Sequence, residues 1–137
     1  MEDRITAEKP KKPELTPVAE DYLRMIYLMS FEDDGGGKPV RICALAQRLG
    51  VSPSSVSRMA QSMALWGYLD FRRYGYITMT DEGKEHGEFL TQRHDTVKRF
   101  FSELCGGTTD SDTDKIEHFV SRRTVDEMIK RLGCAEK

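Results

Sequence analysis

Apolar side chains at Tyr22, Leu23, Ile26, Tyr27 and Met29 recur at three- and four-residue steps, which predicts a helix from Thr16-Pro17 to about Ser30. Threonine before proline marks its start, because the hydroxyl caps the first turn and the fixed φ of proline suits the first helical position. A glycine-rich loop over 32–39 separates it from a shorter helix at about 41–49, which turns Ile42, Leu45, Ala46 and Leu49 inward and stops at Gly50. Ser52-Pro53 opens a third helix in the same way, with Val56, Met59, Met63 and Trp66 as its apolar stripe and Gly67 as its stop. From Tyr68 to Thr80 the pattern changes to an alternation rich in Tyr, Phe, Ile and Thr, which predicts a β-hairpin with Arg72 to Gly75 at its tip. Helical spacing returns from Thr80 or Asp81 to about Leu104, where Gly106-Gly107 breaks it. A short acidic helix at about 112–119 and a last one at about 122–132 follow. The fold class is mainly α: three helices, a hairpin, then three more helices.

Charge changes the picture. The 137 residues carry a net charge of -2, which taken as one number argues against a nucleic-acid binder. The charge is uneven, however. Residues 38–76 hold six basic side chains (Lys38, Arg41, Arg48, Arg58, Arg72, Arg73) against one acid, Asp70, whereas both flanks are acidic. Such asymmetry asks for an anionic partner in the middle and a cationic one elsewhere. No apolar run approaches the roughly 18 residues of a membrane span. The first 14 residues are charged and lack the apolar stretch of a signal peptide. Cys43, Cys105 and Cys134 are odd in number and widely spaced, which fits reduced thiols in a cytoplasmic protein.

The basic middle has the form of a DNA reader. Ala46, Gly50 and Val56 stand where a helix-turn-helix needs a small residue for close crossing, a glycine for the turn and an apolar lock. Ser52, Ser54 and Ser55 lie near the start of the second helix, where hydroxyls suit phosphate contacts, and Arg58 and Gln61 can reach base edges in the major groove. Arg72, Arg73 and Tyr74, at the hairpin tip, are placed like the wing of a winged helix-turn-helix. Each residue singly fits an ordinary charged surface; motif, wing and charge together favour double-stranded DNA.

The acidic flanks offer a second constellation. Asp114, Glu117 and His118 occupy i, i+3 and i+4, hence one face of a helix. His94, midway along the long helix, and Asp21 on the first helix are candidate partners. Carboxylates and imidazoles without thiolate make a hard site suited to Mn(II) or Fe(II) better than to structural zinc. By spacing alone these residues are better explained by a solvated acidic face, and His86 and the three cysteines read as structural. A metal-dependent hydrolase would need a general base in a pocket, and no dedicated candidate is present.

Taken in order, Ala19-Glu20-Asp21-Tyr22-Leu23-Arg24-Met25-Ile26-Tyr27, Val51-Ser52-Pro53-Ser54-Ser55-Val56-Ser57, Tyr68-Leu69, Met79-Thr80 with Gly83, Arg93-His94 and Glu117-His118 resemble the diphtheria-toxin-repressor family, and more closely its manganese-responsive branch. The resemblance covers about 16–132. Residues 1–15, polar and with Pro10 and Pro13, read as a flexible arm; the resemblance implies a winged helix-turn-helix DNA-binding domain (16–80) and a helical metal-binding and dimerisation domain (81–137), working as a homodimer that represses manganese or iron uptake genes. It places Asp21, His94, Asp114, Glu117 and His118 at the family's metal-ligand positions. Asp21 replaces a Met of the iron branch, a hard donor that favours Mn(II) over Fe(II). Two departures matter. Arg24 stands where the manganese branch has a carboxylate, and Asp114 where that branch has a Glu, so one ion per subunit is expected. The alternative is a metal-independent winged-helix regulator that responds to an organic ligand or a partner protein.

Overall fold

Four of the described helices begin where a hydroxyl residue accepts a backbone N–H that the first turn would otherwise leave unpaired; in the last of them, which starts at Arg122, Ser121 Oγ accepts from the Thr124 N–H (3.2 Å). Thr16 Oγ1 accepts from the Ala19 N–H (3.1 Å) at the head of α1 (Pro17–Phe31). Ser52 Oγ accepts from Ser55 (3.2 Å) at the head of α3 (Pro53–Leu65). Thr80 Oγ1 accepts from Gly83 (3.0 Å) at the head of α4 (Asp81–Cys105). The structure is a computed structural model that describes residues 14–31, 37–72, 75–106 and 110–135.

Between α1 and α3 lies α2 (Ile42–Leu49), closed by Gly50 in the left-handed conformation (φ 72°), whose N–H donates to the Ala46 carbonyl. Ala46 is buried at the α2–α3 crossing, and Val56 is fully buried, so the helix-turn-helix spacing has the packing it predicts. The expected hairpin is present as β2 (Leu69–Arg72) and β3 (Tyr76–Met79), but a third strand joins it. β1 (Val40–Arg41) pairs antiparallel with β3, which places Val40 against Ile77 and Arg41 against Tyr76. Arg41 is therefore a strand residue and not the first residue of α2. Two residues are too few to show alternation, so only the distant partner reveals this strand.

The second lobe contains α5 (Asp110–Ile116), a 3₁₀ turn (Glu117–Phe119) and α6 (Arg122–Ala135). The single helix expected over 112–119 thus ends early. Val120 is extended, and its N–H reaches back three residues to the Glu117 carbonyl (3.1 Å), which tightens the last turn.

The main core joins Leu23 and Ile26 of α1, Leu45 of α2, Val56, Ala60 and Met63 of α3, and Ile77 of the sheet. Leu90 of α4 belongs to the same cluster, while Val97, further along α4, is buried with Val125 and Leu132 of α6 in the second lobe. One helix therefore runs through both lobes. It approaches α1 so closely that a Cβ on Gly87 would lie 2.7 Å from that of Tyr27. No helix among the described residues is long and apolar enough to cross a membrane.

His86 of α4 has the structural role expected of it, but with a cost. Its ring packs against Tyr68 (5.5 Å between centroids) and Phe89 (6.3 Å), and its buried Nε2 has no hydrogen-bond partner among the described residues. Burial, with Arg122 and Arg93 adding to it against the opposing pull of Glu20 and Glu82, holds its pKa below the ordinary 6.5. The unfolded chain therefore takes up this proton first as pH falls, so the neutral ring contributes stability above about pH 6.5 that is lost on further acidification. A melting series from pH 7.5 to 5 should fall less steeply for His86→Phe than for the parent. Parallel slopes would remove His86 from the acid response.

Candidate functional site

The acidic and imidazole residues singled out in the sequence do meet, at the junction of α1, α4 and the 3₁₀ turn. His94 Nδ1 lies 2.6 Å from Glu117 Oε1 and 3.8 Å from Asp114 Oδ1. His118 Nε2 lies 3.1 Å from Asp21 Oδ1 across the lobe boundary. Two sets of three donor groups result, Asp21–Glu117–His118 and His94–Asp114–Glu117, each with its donor atoms within 4.8 Å of one another. Glu117 belongs to both.

The early end of α5 explains the division into two sets. A continuous helix advances about 100° per residue and would present Asp114, Glu117 and His118 on one stripe. In the 3₁₀ turn each residue advances about 120°, so His118 turns away from Asp114 toward α1.

The electrostatics of the cluster suit a dication. Glu117 is only 2% exposed, and a buried carboxylate is costly unless charge or hydrogen bonds compensate it. Burial raises the Asp21 pKa above its usual value; His118 and Arg24 oppose the rise, while Glu117 and Asp114 add to it. Three crowded carboxylates and two imidazoles, with no thiolate, form a hard oxygen and nitrogen donor set that fits Mn(II) or Fe(II). Arg24 adds positive charge beside Asp21, and its buried Nε has no hydrogen-bond partner among the described residues.

Two residues of this junction were not singled out in the sequence. Glu20 Oε1 accepts from Arg93 Nη2 (2.7 Å) and lies 2.7 Å from His118 Nδ1, which Arg93 Nη2 also approaches to 3.4 Å; Arg93 is 4% exposed. Each adjoins a candidate ligand, Glu20 beside Asp21 and Arg93 beside His94, which was the available signal. Their contact spans 73 residues of chain, and no local periodicity encodes it.

In the first lobe, α3 presents Ser54, Arg58 and Gln61 to solvent. Ser52 and Ser55 are less free. Ser52 caps the helix and its hydroxyl donates to Ser55 Oγ (3.0 Å), whereas Ser54 is exposed at the helix start, where backbone N–H groups favour phosphate. Arg58 borders an open groove with Thr16, Ala19, Tyr22 and Trp66. Arg72 is exposed at the end of β2, whereas Arg73 and Tyr74 lie outside the described residues. Arg41 is spent at the base of the wing, its guanidinium 5.5 Å from the centre of the Tyr76 ring.

Comparison with known proteins gives a consistent result. The chain matches the family model "Iron dependent repressor, N-terminal DNA binding domain" over residues 14–77, and "Iron dependent repressor, metal binding and dimerisation domain" over residues 80–137. It is 34% identical over 116 residues to an uncharacterised HTH-type transcriptional regulator of Methanocaldococcus jannaschii, covering 82% of this chain and 87% of that one. It is 36% identical over 114 residues to the HTH-type transcriptional regulator MntR of Oceanobacillus iheyensis, covering 81% of this chain and 74% of that one. Among solved structures it resembles a manganese-dependent transcriptional repressor in complex with manganese, at 28% identity and a TM-score of 0.68, covering 84% of this chain and 52% of that one. The chain thus spans about half the length of that solved protein.

Proposed function

Because the chain belongs to the diphtheria-toxin-repressor family of metal-dependent DNA-binding transcriptional regulators, on its manganese-regulator-like branch, we propose that it represses manganese or iron uptake genes in the cytoplasm when a divalent ion binds between its lobes. Its partners are double-stranded DNA, a second copy of the chain and the ion, with Mn(II) the preferred metal and Fe(II) the second. The observation that carries this reading is the placement of Asp21 on α1, within 3.1 Å of His118 on the 3₁₀ turn of the other lobe.

An ion held by this donor set supplies positive charge that neutralises the crowded carboxylates. Asp21 then fixes α1, and with it the helix-turn-helix packed on α1, relative to Glu117 and His118. Fixing that junction in each subunit of a dimer sets the separation of the two α3 helices to successive major-groove half-sites. A coupling of roughly 1–3 kcal/mol, about 5- to 150-fold in DNA affinity, makes a usable switch. Because both three-donor sets need Glu117, and Arg24 brings a cation beside Asp21, one tight ion per subunit is the expected stoichiometry.

The test is DNA binding at fixed ionic strength across Mn(II), Fe(II), Zn(II) and chelator. Binding should tighten with Mn(II). Asp21→Ala should remain a folded dimer whose DNA affinity no longer responds to the metal, and an unchanged response would sink the link between lobes. Arg58→Ala should weaken operator binding by about 1–3 kcal/mol and relax base preference, with metal affinity unaltered. The metal-independent alternative predicts equal binding in Mn(II) and chelator.

A further inference from the structure

We propose that Glu20, itself held by Arg93, is a positioning residue that orients the His118 ring for ligation through Nε2; this rests on the reading of His118 as a ligand. A single carboxylate oxygen, Glu20 Oε1, stands 2.7 Å from His118 Nδ1 and 2.7 Å from Arg93 Nη2. The three groups come from α1, α4 and the 3₁₀ turn. None is freely solvated: the side chains of Arg93, His118 and Glu20 are 5%, 6% and 14% exposed.

A guanidinium only donates, and Arg93 Nη2 lies within reach of both Glu20 Oε1 (2.7 Å) and His118 Nδ1 (3.4 Å). The other ring nitrogen, His118 Nε2, faces Asp21 Oδ1 at 3.1 Å. Consecutive carboxylates of one helix thus flank opposite edges of one imidazole, Glu20 at Nδ1 and Asp21 at Nε2. An imidazole that ligates through Nε2 keeps its proton on Nδ1 and donates it to Glu20, and a carboxylate behind a ligating imidazole orients the ring and raises its basicity.

Arg93 is in turn restrained. Its guanidinium carbon lies 5.7 Å from the centre of the Phe89 ring, whose other neighbour is the Arg122 guanidinium at 3.9 Å. The group that holds Glu20 is therefore fixed by packing within α4 and against α6.

The experiment uses the full chain. Mn(II) affinity is measured by competition with a chromophoric chelator for Glu20→Ala, Glu20→Gln and Asp21→Ala. Glu20→Ala should lower affinity about 10- to 100-fold. Glu20→Gln, whose amide oxygen still accepts from the Nδ1–H of an Nε2-ligating ring, should recover most of the affinity; it also serves if the alanine variant does not fold. Parental affinity in a folded Glu20→Ala, alongside loss in Asp21→Ala, refutes the positioning role alone. Parental affinity in Asp21→Ala as well refutes the metal centre itself.

Discussion

Glu117→Gln should abolish the response of DNA binding to Mn(II) while leaving the metal-free fold intact. Glu117 is the one carboxylate common to both three-donor sets, so no rearrangement of the remaining ligands replaces it. Glutamine keeps the volume of the side chain, and its amide can still hydrogen-bond His94 Nδ1 across the present 2.6 Å contact. Only the charge is lost. Losing an outer-shell partner typically costs about 10- to 100-fold in metal affinity, and removing an anionic ligand should cost at least the upper end of that range. Chelator competition reads the affinity, and fluorescence anisotropy of labelled operator with and without Mn(II) reads the response. The metal-free variant should melt at or above the parental temperature, because a nearly buried carboxylate among carboxylates has been neutralised. A variant that binds Mn(II) and DNA normally would place the metal elsewhere.

Gly83→Ala should destabilise the chain more than alanine at Gly87, the other glycine on α4 where an added Cβ meets a neighbour closer than 3 Å. A Cβ on Gly83 would sit 2.0 Å from the Tyr68 carbonyl oxygen and 2.9 Å from its carbon. These are backbone atoms and cannot swing aside. The same carbonyl accepts the Thr80 N–H (3.1 Å), and the Gly83 N–H caps onto Thr80 Oγ1 (3.0 Å), so a shift that relieves the clash strains the start of α4. Overpacking typically costs about 1–3 kcal/mol, and a clash with backbone belongs at the upper end of that range. In a chain of this length that corresponds to a fall of roughly 10 °C in melting temperature. Circular dichroism melting checks it, and a loss below about 1 kcal/mol would mean that the wing and α4 separate more easily than their contact implies.

The two regions differ in how plainly the sequence announced them. Thr16-Pro17, Ser52-Pro53 and Thr80 were legible because capping is local: the donor lies three residues from the acceptor, and the residue types are few. The helix-turn-helix was legible for the same reason, since Ala46, Gly50 and Val56 meet within eleven residues. β1 was not, because a two-residue strand is defined only by β3, thirty-six residues on. The acidic cluster was half legible. Its residues could be picked out by type and spacing, but the change to a 3₁₀ turn at Glu117, which sends His118 to α1, arises where the chain turns toward α6 and leaves no mark on the periodicity. Glu20 and Arg93 were hidden in plain view, each masked by a more conspicuous neighbour.

The course of α4 sets how the molecule can come apart. Leu90 is sealed into the core beneath the helix-turn-helix, and Val97, seven residues on, into the core beneath α6. Neither half of that helix can fray without opening the lobe it serves, and the intervening turns carry the strain from one to the other. Reader and sensor therefore share one unfolding transition. A ligand that tightens the sensor raises the melting point of the reader with it. The helix-turn-helix, cut free at the start of α4, would lose Gly83, Gly87 and Leu90 together and have no second wall for its core.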